Sequence, residues 1–119
     1  MHFDANDSSL KTEENLKVAA SVPLDRLMLE TDGPWCDIRP THASFKHLAS
    51  MTPEQQAIYC PAAKKKERFE LGSMVKSRNE PCTMGQVLHV MAALHGMDAE
   101  ALASVVYENT RQVFFPAQQ

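Results

Sequence analysis

Two carboxylates follow a short run of alternating apolar residues, in the stretch LETDGPW at residues 29–35. Glu30 and Asp32 share one face of that run, and a Gly-Pro pair ends it. A carboxylate at the carboxyl end of a parallel strand lies where α/β folds place their active sites, and it can bind a divalent metal that activates water. Aspartate is also a favoured turn residue, and spacing alone favours this second interpretation of Asp32. A buried Glu30 would need a partner, for which Arg26 on the same face is the candidate.

A second dense polar cluster is SRNEP, at residues 77–81. Arg78 can fork onto a phosphate, and Asn79 and Glu80 can orient a loop or a substrate group. The alternative is a surface turn before a helix, and the residue types alone favour that interpretation.

Three further features could contact a nucleic acid or a metal. Trp35 can stack on a base, although packing as a lid residue is the alternative that its type favours. His42 can contact a phosphate or a metal, but its spacing from other histidines is not a ligand signature, and ordinary surface histidines are more common. The charged run KKKER at residues 64–68 can face phosphates, although most such runs are simply solvated.

The elements that must position these residues are mainly helices. Residues 26–31 alternate as a strand, and the preceding helix makes half of a βαβ unit, which predicts a parallel sheet. Helix starts are predicted at Thr12, at Thr52 and Thr83 through capping boxes, and at Asp98. Residues 33–82 show no regular pattern and contain several prolines, and a loop region of that length in a compact domain usually has a function.

The predicted strand lacks a predicted partner. Its backbone groups need hydrogen bonds from neighbouring strands. We therefore expect the rest of its sheet to lie outside the chain or in the first few residues, so that the chain looks incomplete.

Composition excludes several classes of protein. The chain has 119 residues, a net charge of −3 and 44% hydrophobic residues, which is typical of a globular domain and not of a basic nucleic-acid-binding protein. Its three cysteines are odd in number and widely spaced, which indicates a reducing compartment. We find no secretory signal and no apolar stretch that approaches the roughly 20 residues of a membrane span. The expectation is a cytoplasmic or nuclear protein without membrane contact.

Five segments in order resemble the TatD-type family of metal-dependent deoxyribonucleases, and most closely its eukaryotic branch. They are SLKTEENL at 9–16, PLDRLMLETDGPWC at 23–36, RPTHA at 39–43, RNEPC at 78–82 and YENTRQVFF at 107–115. The resemblance implies an α/β fold, namely the carboxyl-terminal part of a TIM (β/α)8 barrel of the metallo-dependent hydrolase type. Residues 1–119 would then run from about the end of strand seven to the final helices, with residues 6–12 at that strand end and Met1 to Ala5 departing from the strand pattern.

The resemblance also implies a function and a site. The expected activity is hydrolysis of phosphodiester bonds in DNA, of the 3'-5' exonuclease type, with one or two divalent ions (Mg2+, Mn2+ or Zn2+). Asp32 corresponds to the family's metal-binding and water-orienting aspartate, and Arg78, Asn79 and Glu80 to motif residues near the site, while Trp35 and His42 remain candidate substrate contacts.

The family's other metal ligands, which include a His-x-His pair, have no counterpart in this sequence. The isolated chain is therefore expected to be inactive and to self-associate through exposed apolar helix faces. The alternative is a non-catalytic interaction protein that binds a partner through those faces.

Overall fold

The computed structural model describes residues 3–5 and 7–117. Its α-helices and strands are, in chain order, β1 (Phe3–Ala5), α1 (Glu13–Ser21), β2 (Leu27–Leu29), α2 (Pro53–Tyr59), β3 (Ala63–Lys64), β4 (Met74–Val75), α3 (Met84–Leu94) and α4 (Ala99–Phe114). Short 3-10 segments lie between them, at Asp7–Leu10, Leu24–Arg26, Ala43–Ser50, Lys66–Arg68 and Pro81–Thr83. This architecture confirms the predicted α/β class.

The strands form two small parallel pairs. β1 lies beside β2 with Phe3 opposite Leu27 and Ala5 opposite Leu29, and β3 lies beside β4. The partner of the predicted strand is therefore in the first few residues of the chain. The prediction that these residues depart from a strand pattern was wrong for Phe3–Ala5; Met1 and His2 lie outside the described residues.

The strand predicted at residues 26–31 is shorter in the structure. Leu24–Arg26 form a 3-10 turn instead, because the Arg26 N–H donates to the Pro23 carbonyl over 2.9 Å. Leu27 and Met28 are both buried although they point to opposite faces, as is usual for a parallel strand that is covered on both sides. Glu30 lies beyond β2 and is exposed, so the burial that would have required Arg26 as a partner does not occur.

All four predicted helix starts are confirmed, and three of them have the predicted side-chain cap. Thr12 and Thr52 form capping boxes with Asn15 and Gln55, and the Asp98 carboxylate accepts the Ala101 N–H. Each cap satisfies backbone donors that the first helical turn leaves without partners.

The capping box predicted at Thr83 was wrong. Thr83 has helical backbone angles, and the single proton of its hydroxyl is shared between the Glu80 carbonyl and the side-chain oxygen of Asn79. The other member of the predicted box, Gln86, donates its side-chain amide to the Tyr59 carbonyl over 2.7 Å. The two side chains therefore serve tertiary contacts in place of the local cap.

The core lies between the β1–β2 pair and helices α1, α3 and α4. Its buried side chains come from all of these elements and include Leu16, Leu27, Val90, Met91 and Leu102. Within the described part of the chain, no helix is both long and apolar enough to span a bilayer. The core fixes β2 firmly, and the loop that follows β2 carries the residues of interest.

Candidate active site after strand β2

The loop after β2 is a tight turn built around Asp32. Asp32 has a φ of 55°, in the left-handed region that aspartate tolerates better than most residues. Its backbone carbonyl accepts the Trp35 N–H over 3.0 Å, which closes the turn, and the intervening Gly33–Pro34 peptide bond is cis. The residue is exposed, three positions beyond the end of the strand.

The Asp32 carboxylate accepts a weak bond from the Cys36 thiol, with Sγ and Oδ2 3.7 Å apart. The hydrogen bond that closes the turn uses the Asp32 backbone carbonyl, while the side chain reaches solvent. A turn role and a ligand role for this residue are therefore compatible, and the two interpretations left open by the sequence do not compete.

Asn79 is the residue that holds this loop in place. It is 6% exposed, and its side-chain amide donates to the carbonyls of Thr31 over 2.9 Å, Trp35 over 3.1 Å and Cys36 over 3.4 Å. The Asn79 backbone N–H adds a fourth link across the same gap, to the Pro34 carbonyl over 2.9 Å. These bonds span more than forty residues of sequence and tie the segment before α3 to the Asp32 turn.

The other end of the Asn79 side chain is occupied as well. Its carbonyl oxygen accepts the Glu80 N–H over 3.1 Å and the Thr83 hydroxyl. Because one side of the amide faces only acceptors and the other only donors, the partners fix which atom is nitrogen and which is oxygen. The protein thus fills the hydrogen-bonding capacity of the Asn79 side chain, and these bonds orient the loop, which is one of the two roles that the sequence left open for this residue.

A close approach accompanies this link. A Cβ at Gly33 would lie 3.1 Å from the Asn79 carbonyl oxygen, which is tighter than most side-chain contacts. Glycine at this position lets the two segments meet.

The other predicted substrate contacts flank the loop. Arg78 and Glu80 are both exposed, on either side of the buried Asn79. Trp35 is 70% exposed, so the alternative in which it packs as a lid is wrong for this structure. Arg78 and Glu80 thus lie on either side of the residue that is bonded to the Asp32 turn, Trp35 lies in the turn, and solvent or a ligand can reach all three side chains.

His42 has a structural contact of its own. Its Nδ1 accepts the Arg39 N–H over 3.1 Å, which places the proton of the neutral ring on Nε2. Burial lowers the pKa of His42 below its ordinary value of 6.5, and the positive charges of Lys11 and Arg39 lower this pKa further against the opposing effect of Asp37. The structure does not bring His42 into a hydrogen bond with the Asp32 loop among the contacts it shows.

The chemistry of the donor set limits what these residues can do with a metal. A carboxylate oxygen such as that of Asp32 is a suitable ligand for Mg2+ or Mn2+. However, the described residues contain no group of three or more His, Cys, Asp or Glu side chains that could hold a metal ion. The donors among the described residues therefore do not fit a complete catalytic metal centre, which needs several ligands.

Sequence reasoning missed a second buried asparagine. Asn109 on α4 donates its side-chain amide to the carbonyls of Leu24 and Leu27, over 2.7 and 2.8 Å. It thereby fixes the 3-10 turn that leads into β2. Its position on the buried face of α4, beside Val106, is the signal that could have identified it.

Comparison with known proteins agrees with the resemblance seen in the sequence. The family model described as TatD related DNase matches residues 6–115. The chain is 41% identical over 110 residues to "Deoxyribonuclease Tat-D" of Schizosaccharomyces pombe, a match that covers 92% of this chain and 33% of the relative. It is 33% identical over 98 residues to "3'-5' ssDNA/RNA exonuclease TatD" of Dickeya dadantii, which covers 82% of this chain and 26% of that relative.

Solved structures give the same picture. An uncharacterized amidohydrolase from Saccharomyces cerevisiae superposes with a TM-score of 0.82 at 39% identity, over 95% of this chain and 33% of that one. A TatD family hydrolase from Entamoeba histolytica superposes with a TM-score of 0.85 at 28% identity, over 98% of this chain and 36% of that one. The chain thus spans about a third of the length of the proteins it matches.

Proposed function

Because the chain belongs to the TatD-related DNase family, we propose that it forms the carboxyl-terminal part of a TatD-type barrel that hydrolyses DNA with a divalent metal. The observation that carries this proposal is Asp32: an exposed carboxylate in a clamped turn just beyond a parallel strand, at the strand end where such barrels place their chemistry. The names of the relatives support phosphodiester hydrolysis, and that of the bacterial relative supports 3'-5' exonuclease action.

In this proposal the residues of the loop have different roles. Asp32 supplies one ligand of a site for Mg2+, Mn2+ or Zn2+, and such a metal activates water and stabilises the charge on a phosphate. Asn79 keeps the turn in shape, while Arg78, Glu80 and Trp35 remain the candidate contacts to substrate. Since the Nδ1 of His42 accepts the Arg39 N–H, only its Nε2 would be available to a ligand.

The proposal also covers the extent of the domain. Residues 1–119 correspond to about a third of the relatives' length, and the described residues do not complete a metal site. We therefore propose that the remaining strands and ligands of the barrel lie outside these 119 residues, and that these 119 residues alone do not cleave DNA. A cytoplasmic or nuclear location fits the finding that Cys36, Cys60 and Cys82 form no disulfide within the described part of the chain.

The test is a chimera in which these residues replace the matching third of the Schizosaccharomyces pombe relative. With Mg2+ or Mn2+ it should shorten a single-stranded DNA labelled at its 5' end. Asp32→Asn should reduce the cleavage rate more than ~100-fold, because loss of even a partner of a metal ligand costs about 10–100-fold.

The matched control is Asp25→Asn, the same substitution at an exposed position before the other end of β2. It should leave the rate unchanged. An Asp32→Asn chimera that cleaves DNA as fast as the Asp25→Asn chimera would remove Asp32 from the mechanism. Cleavage by the purified 119-residue chain would contradict the proposal that it is inactive alone.

A second candidate function rests on a different observation. An open apolar groove of about 490 Å³ lies between the end of β2 and helices α3 and α4, and Leu29, Tyr59, Leu88 and Val106 are among its lining residues. Leu29 is a strand residue, so the occupant that we propose is a strand and helix of a TatD-type barrel, supplied by another chain. In this alternative the chain acts without catalysis, as a binding partner of such a barrel.

Self-association and partner binding can be measured together. Multi-angle light scattering of the purified chain should show oligomers, and addition of the amino-terminal two thirds of the Schizosaccharomyces pombe relative should convert them into a defined heterodimer. If the chain is a monomer that unfolds cooperatively on heating and does not bind the added polypeptide, the interaction function is contradicted.

A further inference from the structure

The cations of this acidic protein are concentrated in one segment. Residues 62–78, which we call the basic arm, contain six of the twelve lysines and arginines but only two of the fifteen acidic residues. The arm therefore carries a net charge of +4, while the remainder of the chain carries −7. Such a separation produces a local positive field that the net charge of the whole chain conceals.

The arm is a folded structure with its own backbone bonds. β3 and β4 close its base, where the Met74 N–H donates to the Ala62 carbonyl and the Lys76 N–H to the Lys64 carbonyl, both over 2.8 Å. The Nζ of Lys64, in β3, lies 2.8 Å from the carboxylate of Glu70, which is in the segment between the two strands. These bonds give the charged residues a defined arrangement.

The side chains between the two strands point to solvent. Lys65, Lys66 and Arg68 are exposed, and so are two apolar residues, Phe69 at 49% and Leu71 at 95%. Single-stranded nucleic acids bind surfaces that combine exposed positive charges with an exposed aromatic ring, since the charges contact the phosphates and the ring stacks on a base.

The base of the arm is joined to the Asp32 turn. The Arg78 N–H donates to the Val75 carbonyl over 3.0 Å, and the next residue, Asn79, is bonded to Pro34 and Trp35. Four residues from Val75 to Asn79 span at most about 14 Å. At ~3.4 Å per stacked nucleotide, that distance corresponds to about four nucleotides of one strand.

From these observations we infer that the basic arm is a docking surface for single-stranded DNA that leads the strand to the Asp32 turn, where Trp35 is a stacking platform. The inference rests on the proposed function for the identity of the ligand. It adds the part of the protein that holds the substrate, which comparison with the relatives does not assign. The acidic remainder of the chain would repel the DNA elsewhere and so confine it to the arm.

The experiment measures binding without catalysis. The 119-residue chain is titrated into a fluorescein-labelled 12-nucleotide single strand in 50 mM salt with a chelator, and anisotropy is recorded. Since the sequence contains one tryptophan, intrinsic fluorescence reports on Trp35 alone. Binding should quench that emission, and the logarithm of the affinity should fall linearly with the logarithm of the salt concentration.

The variant to compare is Lys65→Gln, Lys66→Gln, Arg68→Gln, which removes three exposed charges from the arm. Its affinity should be at least ~10-fold lower in about 0.1 M salt, with a salt slope that is shallower by about 2, because each phosphate contact on a single strand contributes ~0.7 to that slope. The matched control is Lys11→Gln, Lys17→Gln, Arg26→Gln, which removes the same charge from exposed positions outside the arm. It should bind as the native chain does.

Each other outcome has a defined meaning. Equal weakening by the two triple variants would show that binding follows overall charge, and it would overturn the assignment to the arm. Equal affinity and equal quenching with an abasic strand of the same length would overturn the assignment of Trp35 as a platform for stacking on bases, and the arm would then bind phosphates only. Absence of binding by the native chain at 50 mM salt would overturn the inference entirely.

Failure of this inference and failure of the proposed function are distinguishable. Asp32→Asn should bind the oligonucleotide with unchanged affinity here, because no metal is present, yet it should abolish cleavage in the chimera. Arm variants should raise KM for cleavage in the chimera at least ~10-fold with kcat nearly unchanged, because they weaken binding that is equal in the ground and transition states.

Discussion

Replacement of Asn79 by alanine tests whether one buried amide holds the candidate active-site turn. The substitution removes a side chain that bridges Thr31, Trp35 and Cys36 on one side to Glu80 and Thr83 on the other. A hydrogen bond of this kind contributes about 0.5–1.5 kcal/mol net. Water can reach the freed carbonyls because the turn is exposed, so we expect Asn79→Ala to lower the free energy of unfolding by about 2–4 kcal/mol.

Two further variants separate the parts of this effect. Asn79→Asp conserves size but places a carboxylate oxygen against three carbonyls, and a buried unpaired charge is costly, so it should be at least as destabilising as alanine. Thr83→Val keeps the shape of its site and removes one donor to the Asn79 oxygen, so it should cost only ~1 kcal/mol. Urea denaturation followed by circular dichroism gives all three values.

The emission of Trp35 then separates a local from a general effect. In native buffer, Asn79→Ala should shift and broaden that emission, since the amide bonds the Trp35 carbonyl, whereas Thr83→Val should leave it unchanged. In the chimera, Asn79→Ala should lower kcat more than it raises KM, because a misplaced Asp32 weakens the reaction and not the docking of the strand. If Asn79→Ala lowers the free energy of unfolding by less than ~0.5 kcal/mol and keeps the native Trp35 emission, Asn79 does not hold the Asp32 turn.

Two other perturbations follow from contacts away from the turn. Asn109→Ala should lower the free energy of unfolding by about 1–3 kcal/mol, because it removes the side-chain amide that donates to the carbonyls of Leu24 and Leu27. Glu108→Ala on the exposed face of α4 should cost less than ~0.5 kcal/mol in the same urea denaturation. The pKa of His42 is lower in the folded chain than its ordinary 6.5, because burial disfavours the charged ring, so the unfolded state binds the proton more readily. The contribution of neutral His42 to the free energy of unfolding is therefore complete above pH 6.5, and it is lost as the pH falls through the folded pKa. Urea midpoints between pH 8 and 5 should therefore decline less in His42→Asn, whose side-chain oxygen can still accept the Arg39 N–H, and an unchanged pH dependence would contradict this assignment.

The parts of the structure that the sequence predicted well are local ones. The caps at Thr12 and Thr52 involve residues three positions apart, so their patterns contain the whole interaction. The capping box predicted at Thr83 has the same local pattern but does not form, because the Thr83 hydroxyl is bonded to Asn79 and to the Glu80 carbonyl instead. Phe3–Ala5 is recognisable as a strand only through its parallel pairing with β2, which no local pattern shows.

The candidate site shows the same division. Asp32 could be selected from its type and its place after a strand, but the role of Asn79 depends on partners 43 to 48 positions away. A sequence pattern that contains an arginine, an asparagine and a glutamate in succession does not indicate which one is buried. In the structure, burial of the middle residue assigns it to the protein and leaves Arg78 and Glu80 to solvent.

The position of Asn79 also explains how a long irregular segment can coexist with a well-defined turn. The chain leaves the Asp32 turn, passes through α2 and the basic arm, and returns at Asn79, where the side chain and the backbone N–H close the loop on Pro34 and Trp35. The segment between is also held elsewhere, by the Ala43 N–H on the Lys11 carbonyl and by the Gln86 amide on the Tyr59 carbonyl, and its length costs little in loop entropy. The arm can therefore carry charge and exposed apolar side chains for substrate while Asn79 keeps the Asp32 turn in place. The same link keeps the two surfaces within a few nucleotides of each other, which is what a strand that is held at one and cut at the other requires.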